Sequence, residues 1–166
     1  RALDETGMTM TVEAGMTLAE VQRAADERNL LFPLSLASEG SATIGGNIAT
    51  NAGGTHVLRY GMTRALVLGL EVVLANGVVL PMLRSLHKDN TGYDLKQMFI
   101  GSEGTLGVIT AAALRLFPKP DVAVTAFAAV PSPAAALALL SRMSHATGGM
   151  LSAFELMPRI ALDFVT

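Results

Sequence analysis

Two stretches of this chain are suited to contact through the main chain rather than through reactive side chains. The first is Ser38-Glu39-Gly40-Ser41-Ala42-Thr43-Ile44-Gly45-Gly46-Asn47-Ile48-Ala49-Thr50-Asn51-Ala52-Gly53-Gly54. Its glycines lack the Cβ atoms that hold a ligand away, so N–H groups are expected to converge on an anion or a flat polar ring. Thr43 is placed to cap a short helical turn, whose N-terminal field favours a pyrophosphate. The second stretch is Gly101-Ser102-Glu103-Gly104-Thr105-Leu106-Gly107-Val108-Ile109-Thr110, a glycine-rich turn that runs directly into a strand and exposes main-chain donors and acceptors there. Either stretch alone is also readable as a tight packing loop, because glycine lets two backbones approach each other.

Other routes to chemistry find less support. His56, His87 and His145 are widely spaced, and none has a partner at H-x-H or H-x-x-x-H spacing, so no metal site is expected from this chain alone. Ser102 stands in Gly-Ser-Glu-Gly rather than G-x-S-x-G, a poor match to a nucleophile elbow. Glu103 lies beside glycines, where an acid more often fixes a turn than acts as a catalytic carboxylate. Neither G-x-G-x-x-G nor G-x-x-x-x-G-K-[ST] occurs, which removes support for a nicotinamide-binding Rossmann turn and for a P-loop. The polar run His87-Lys88-Asp89-Asn90-Thr91-Gly92-Tyr93-Asp94 is able to line the same ligand face, and its ordinary reading is a solvated loop.

The elements that must carry these stretches follow from periodicity and punctuation. Residues 9–13 alternate as a short strand, and Thr17-Leu18-Ala19-Glu20 is a capping box that opens a helix ending near Asn29, with Leu18, Val21, Ala24 and Ala25 on one face. Residues 65–75 are rich in Val and Leu, and Asn76-Gly77 turns the chain back through residues 78–82 as a hairpin. A short helix is expected at 94–100 and a strand at 108–117, after which Pro118 and Pro120 mark a boundary. Beyond it the pattern predicts a strand at 122–130, a helix at 134–146 capped by Ser132 with Pro133 in its first turn, a strand at 151–157, and a last helix opened by Pro158.

Composition narrows the class of molecule. The 166 residues suffice for one core, or for one lobe and the start of another. Hydrophobic residues make up 51% and charged residues 16%, against a usual charged share of roughly 25%, so part of the surface is expected to meet further protein or a cofactor. Glu71 and Asn76 interrupt the longest apolar stretch, at 66–82, which argues against a membrane-spanning helix. A formal charge of -2 with no run of Lys and Arg speaks against a nucleic-acid partner. With no cysteine there is no disulfide framework, a usage that suits the cytosol. The opening Arg1, in place of Met, and the absence of a basic-then-apolar layout read as a cut edge rather than a signal peptide.

Taken in order, Thr43-Ile44-Gly45-Gly46-Asn47-Ile48-Ala49-Thr50-Asn51-Ala52-Gly53-Gly54, Arg59-Tyr60-Gly61, Asn90-Thr91-Gly92-Tyr93-Asp94-Leu95 and the stretch from Gly101 to Thr110 resemble the FAD-linked oxidases of the vanillyl-alcohol oxidase, or PCMH, type. Within that family the motifs most resemble bacterial D-2-hydroxyacid dehydrogenases, the group of D-lactate dehydrogenase, D-2-hydroxyglutarate dehydrogenase and the FAD subunit of glycolate oxidase. The resemblance implies an α+β fold. Residues 1–119 would be the second lobe of a PCMH-type FAD-binding domain, an antiparallel sheet flanked by helices, and residues 120–166 the first β-α-β-α elements of a substrate or cap domain.

The resemblance also implies noncovalent FAD, contacted by Thr43, Ile44, Gly45, Gly46, Asn47, Asn51, Gly53 and Gly54, and by Glu103, Gly104, Gly107, Val108 and Ile109. His56 falls near a region where some relatives tether flavin, but the group resembled does not, so no covalent bond is expected. The implied reaction takes a D-2-hydroxy acid (lactate, glycolate or 2-hydroxyglutarate) to the 2-oxo acid, with the C2 hydrogen passing as hydride to flavin N5. Its base is expected outside this chain, as is a divalent metal, so the fragment alone is expected to be inactive. Expected partners are the small hydroxy acid and an electron acceptor (quinone, cytochrome or electron-transfer flavoprotein), with a homodimer left open. The expected location is cytoplasmic, with peripheral contact to the inner membrane left open. Two alternatives stand beside this reading: a flavin-dependent reductase of the same architecture, and a structural lobe without a ligand.

Overall fold

The computed structural model describes residues 1–164. In chain order its elements are β1 (Ala2–Asp4), β2 (Thr9–Glu13), α1 (Leu18–Asp26), β3 (Leu30–Leu31), α2 (Ile44–Ala49), α3 (Val57–Tyr60), α4 (Thr63–Leu66), β4 (Val67–Val73), β5 (Val79–Met82), α5 (Lys96–Phe99), β6 (Val108–Arg115), β7 (Phe117–Pro118), α6 (Pro133–Ala146) and α7 (Arg159–Asp163). Five strands form one antiparallel sheet in the order β1-β2-β6-β4-β5, which places β6 at the centre. The mixed helical and antiparallel architecture expected from the sequence is the one observed.

Local chemistry explains the elements that matter for the site. In β2 the alternation buries Met10 and Val12. In β6, Ala111, Ala112, Ala113 and Leu114 are wholly buried, and the small side chains of the three alanines let neighbouring elements pack closely on this strand. The helix α1 starts at a complete capping box: Thr17 Oγ1 accepts from the Glu20 N–H, and Glu20 Oε2 accepts from the Thr17 N–H at 2.8 Å. That arrangement is worth about 1 kcal/mol, and it holds the Glu20 carboxyl below the usual carboxylate range. Leu18, Val21 and Ala25 of α1 join Ile44 and Ile48 of α2 in the same core as Val12, Leu70, Val72 and Leu114 of the sheet. Truncating a fully buried leucine such as Leu18 to Ala would cost about 2–5 kcal/mol. The β4–β5 hairpin closes through Asn76-Gly77, with Gly77 at φ 83°.

Several expectations are corrected. The helix α1 stops at Asp26, short of Asn29, which sits in the left-handed region at φ 54° and turns the chain. The first residues of the expected 65–75 strand are helical, in α4. The expected 108–117 strand divides: β6 ends at Arg115, and β7 leaves the main sheet to pair with β3 through Leu30↔Pro118 and Leu31↔Phe117.

Residues 122–130 and 151–157 are not strands. A strand exists as part of a ladder, and among the described residues no strand lies alongside either segment. Val122, Val124 and Phe127 are instead strongly exposed. The β-α-β-α order expected for 120–166 therefore reduces, among the described residues, to α6 and α7. The cap expected for α6 is present, with Ser132 Oγ accepting from the Ala135 N–H at 3.2 Å and Pro133 in the first turn. No helix among the described residues is long and apolar enough to cross a membrane.

Candidate functional site

The first glycine-rich stretch is built around α2. Thr43 adopts an extended backbone and caps the helix, its Oγ1 accepting from the Gly46 N–H at 3.2 Å. The Ile44 N–H donates to Met16 O at 2.9 Å and the Gly45 N–H to Ala14 O at 2.8 Å. These bonds correct one expectation. The first-turn N–H groups do not converge on an open anion site, because the loop between β2 and α1 takes those of Ile44 and Gly45 and the Thr43 hydroxyl takes that of Gly46.

The glycines of this stretch divide by what surrounds them. A Cβ on Gly45 would lie 2.8 Å from Ala14 Cβ, and one on Gly54, at φ 76°, would lie 2.5 Å from Ser35 O. Both are packing positions where two backbones meet. A Cβ on Gly53 would make ordinary contact with Val57 and Met62. On the exposed side of α2, a Cβ on Gly46 would meet only its own cap, Thr43 Oγ1, at 3.2 Å. The opposite side of α2 buries Ile44, Asn47 and Ile48. Asn47 is 5% exposed, and its Nδ2 is the one buried side-chain nitrogen or oxygen without a hydrogen-bond partner among the described residues. Asn51 stands in the left-handed region at φ 51°, and its Oδ1 accepts from the Arg64 N–H at 3.0 Å.

The second stretch docks on the end of the first. The Gly101 N–H donates to Ile48 O and the Glu103 N–H to Ala49 O, each at 3.0 Å. Those carbonyls belong to the last turn of α2, where a helix leaves its acceptors without internal partners. Glu103 (φ 52°) and Gly104 (φ 79°) then carry the turn through the left-handed region. Nothing lies within 4 Å of a Cβ built on Gly104. By contrast, a Cβ on Gly107 would lie 2.7 Å from a Val72 side-chain carbon and 2.9 Å from Val73 O. Val108 opens β6 opposite Val73 and is exposed, whereas Ile109, opposite Val72, is half-buried. Ser102 Oγ donates to Phe99 O at 2.8 Å and Thr105 Oγ1 to Ser102 O at 2.7 Å, so both hydroxyls serve the turn.

The structure thus brings the two stretches together, and it adds a residue that sequence reasoning missed. Arg64 Nη1 donates to Gln97 O at 2.8 Å and to Gln97 Oε1 at 2.7 Å, and its Nη2 donates to Ile100 O. A single arginine whose acceptors lie more than thirty positions away gives no local signal. The histidines remain apart: a ring nitrogen of His56 faces Pro33 O, one of His87 faces Gly7 O, and one of His145 faces Ser141 O. No group of three or more metal-binding side chains forms among the described residues.

The polar run after the hairpin bonds to its neighbours Arg84, Lys96 and Gln97 and to Gly7 O rather than to the glycine surface. Asp89 accepts from Arg84 Nη1 at 2.9 Å and from the Thr91 N–H at 3.1 Å, and the Arg84 contact holds its carboxyl below the usual range. A cleft of about 180 Å³ lies there, bordered by Met82, Arg84, Tyr93 and Lys96. A second cleft, of about 460 Å³, is bordered by Gln22, Phe32, Leu34 and His56. The second touches the first glycine stretch at Glu39 alone, and neither cleft is bordered by Gly46 or Gly104.

Comparison with known proteins places this surface in context. Residues 1–82 match the family model described as an FAD binding domain. The chain is 53% identical over 156 residues to the mitochondrial D-2-hydroxyglutarate dehydrogenase of Bos taurus, covering 94% of this chain and 29% of that protein. It is 49% identical over 164 residues to the mitochondrial enzyme of Danio rerio, covering 99% of this chain and 31% of that protein. With the D-2-hydroxyglutarate dehydrogenase of Xanthomonas citri pv. viticola it shares 49% identity over 124 residues, covering 75% of this chain and 26% of that protein. The chain therefore spans under a third of the length of these curated relatives.

A solved structure of alkyldihydroxyacetonephosphate synthase superposes with a TM-score of 0.63 at 25% identity, covering 73% of this chain and 20% of the other. One expectation falls here. The cytoplasmic location, with or without contact to the inner membrane, conflicts with relatives from cattle, rat, zebrafish and Arabidopsis whose names place them in mitochondria.

Proposed function

We propose, from the premise that the chain belongs to the FAD-linked oxidases that carry this FAD binding domain, that the whole protein uses FAD to oxidise a D-2-hydroxy acid, foremost D-2-hydroxyglutarate, to its 2-oxo acid. The observation that carries the cofactor reading is the junction at the end of α2, where Gly101 and Glu103 dock on Ile48 and Ala49. Through it, two main-chain surfaces distant in sequence become one wall. The names of the relatives support the substrate, and the same architecture in a synthase is a reminder that the fold alone does not choose a reaction.

The residues fit a flat ligand lying along this wall better than a phosphate held at the start of α2, whose N–H groups are occupied. Gly46 and Gly104 offer main chain with no Cβ and, apart from Thr43 Oγ1 beside Gly46, nothing opposite, and Val108 adds an exposed apolar contact. Asn47, by contrast, faces the buried side of α2, so its unpartnered Nδ2 is not part of this surface. Gly45, Gly54 and Gly107 shape the wall from behind by letting it close on Ala14, Ser35 and Val72. Thr43, Ile44, Asn51, Glu103 and Ile109 hold the helix cap, the turns and the strand in register, and Gly53 packs beside Val57 and Met62.

Bound FAD would supply the acceptor for the hydrogen on C2 of the hydroxy acid. This chain's part is to orient that cofactor and exclude water from one side of it. Noncovalent binding is the reading we adopt, as in the group of dehydrogenases that the motifs resemble. Residues 1–119 would be the cofactor lobe and 120–166 the beginning of the substrate side, where Val124, Phe127 and Leu137 stand exposed and want cover. The base, any divalent metal and the contact with an electron acceptor would lie in the part of the relatives' length that this chain does not span.

The test is anaerobic mixing of the full-length enzyme with D-2-hydroxyglutarate, D-lactate and glycolate while visible flavin absorbance is followed. Bleaching fastest with D-2-hydroxyglutarate is expected, and an enzyme that no 2-hydroxy acid bleaches would overturn the reading.

A further inference from the structure

We infer that Arg64 is a positioning residue for the cofactor surface: its guanidinium and its backbone N–H together lock the turn after α2 to the turn before β6, and so set the spacing of the two glycine-rich walls. The inference rests on the FAD reading for its functional half, and on geometry for its structural half.

The geometry is a clasp with five donor atoms. On one side the Arg64 N–H donates to Asn51 Oδ1, and its neighbour Thr63 gives both its N–H and its Oγ1 to Ala52 O, at 3.0 and 2.7 Å. On the other side the guanidinium reaches across α5 to Gln97 O, Gln97 Oε1 and Ile100 O. Ile100 directly precedes Gly101, and a Cβ on Gly101 would lie 3.5 Å from both Arg64 Nη2 and Asn51 Cβ. The contacts of Arg64 thus frame the point where Gly101 and Glu103 hand their N–H groups to Ile48 and Ala49.

The choice of acceptors fits positioning better than charge balance. Among the described residues every acceptor of the guanidinium is a neutral carbonyl or amide oxygen, and no carboxylate pairs with it. A planar fork with several fixed donors holds two main-chain carbonyls at set positions in a way that a lysine ammonium, a single point of charge, does not. Charge-assisted bonds of this kind are roughly twice as strong as neutral ones. Asn51 and Glu103 both sit in the left-handed region, so the two turns need outside support to keep their shapes.

The experiment uses the full-length enzyme, with Arg64→Lys and Arg64→Ala compared against the parent. Two quantities are read on each protein: amide hydrogen exchange at Gly101 and Glu103, and FAD affinity of the apoenzyme by quenching of flavin fluorescence. We expect exchange at those two amides to rise about tenfold or more in Arg64→Ala while amides of Ala112 and Leu114 stay protected. FAD affinity should fall about tenfold in the same variant, with Arg64→Lys between it and the parent.

Unchanged exchange at Gly101 and Glu103 overturns the inference whatever happens to FAD. Faster exchange with FAD affinity equal to the parent's also overturns it, because the clasp would then not serve the cofactor. A parent apoenzyme that takes up no FAD sinks the cofactor reading instead, and the exchange data alone then decide whether Arg64 couples the two turns. Should Arg64→Ala fail to fold, the same pair of measurements on Gln97→Ala, which removes one side-chain acceptor, decides the matter with a smaller expected change.

Discussion

The two glycine-rich stretches use the same residue for opposite purposes. In the first, Gly45 and Gly54 are there because Ala14 and Ser35 leave no room for a Cβ, and the N–H groups of the first turn of α2 are already bonded. In the second, Gly104 has open space around it and is needed for its backbone angle, with Gly107 alone wedged against Val72. One stretch is an anchored base and the other a turn mounted on it through Gly101 and Glu103. A glycine-rich motif in a sequence therefore mixes positions that shape a surface from behind with positions that present it, and only the surroundings of each Cβ separate the two.

Substitutions can break this contrast in order of expected size. Gly54→Ala should be the most damaging, since it combines a left-handed backbone with a Cβ 2.5 Å from Ser35 O; a loss of about 3 kcal/mol is expected in urea unfolding of the full-length protein. Gly45→Ala should cost about 1–3 kcal/mol by the same measurement. Adding Ala14→Gly should return much of it, because the clash is with the Ala14 Cβ; a strictly additive double variant would show that the contact is not the cause. Gly104→Ala should cost only about 1 kcal/mol, the strain of the left-handed angle, as nothing stands near the new carbon. A Gly104 variant as unstable as the Gly54 one would erase the distinction between the stretches.

Much of the scaffold is legible without coordinates because its signals are local. The capping box at Thr17 and Glu20, the Asn76-Gly77 turn between two Val-rich runs, and Ser132-Pro133 at the start of α6 each act within a few residues, and each start or turn falls where expected, although α1 and β4 end or begin elsewhere. What is not legible depends on distant partners. Residues 122–130 alternate like a strand, yet no neighbouring strand is present among the described residues to complete a ladder. The three-residue β1 and the two-residue pair β3–β7 are set by pairing alone.

The candidate site follows the same rule. Which residue types form it can be read from Gly45, Gly46 and Gly104 in the sequence, but the occupation of the Ile44 and Gly45 N–H groups by Met16 and Ala14 cannot, nor can the reach of Arg64 to Gln97 and Ile100.

The central claim, that the exposed side of α2 and the Gly104 turn form one wall for the flavin dinucleotide, is tested most directly at Gly46. Gly46→Leu places a side chain on that open side, where only Thr43 Oγ1 lies near. The full-length variant is predicted to be purified colourless, with FAD affinity reduced beyond detection and a urea midpoint close to the parent's. A yellow Gly46→Leu enzyme that binds FAD as the parent does would contradict the account.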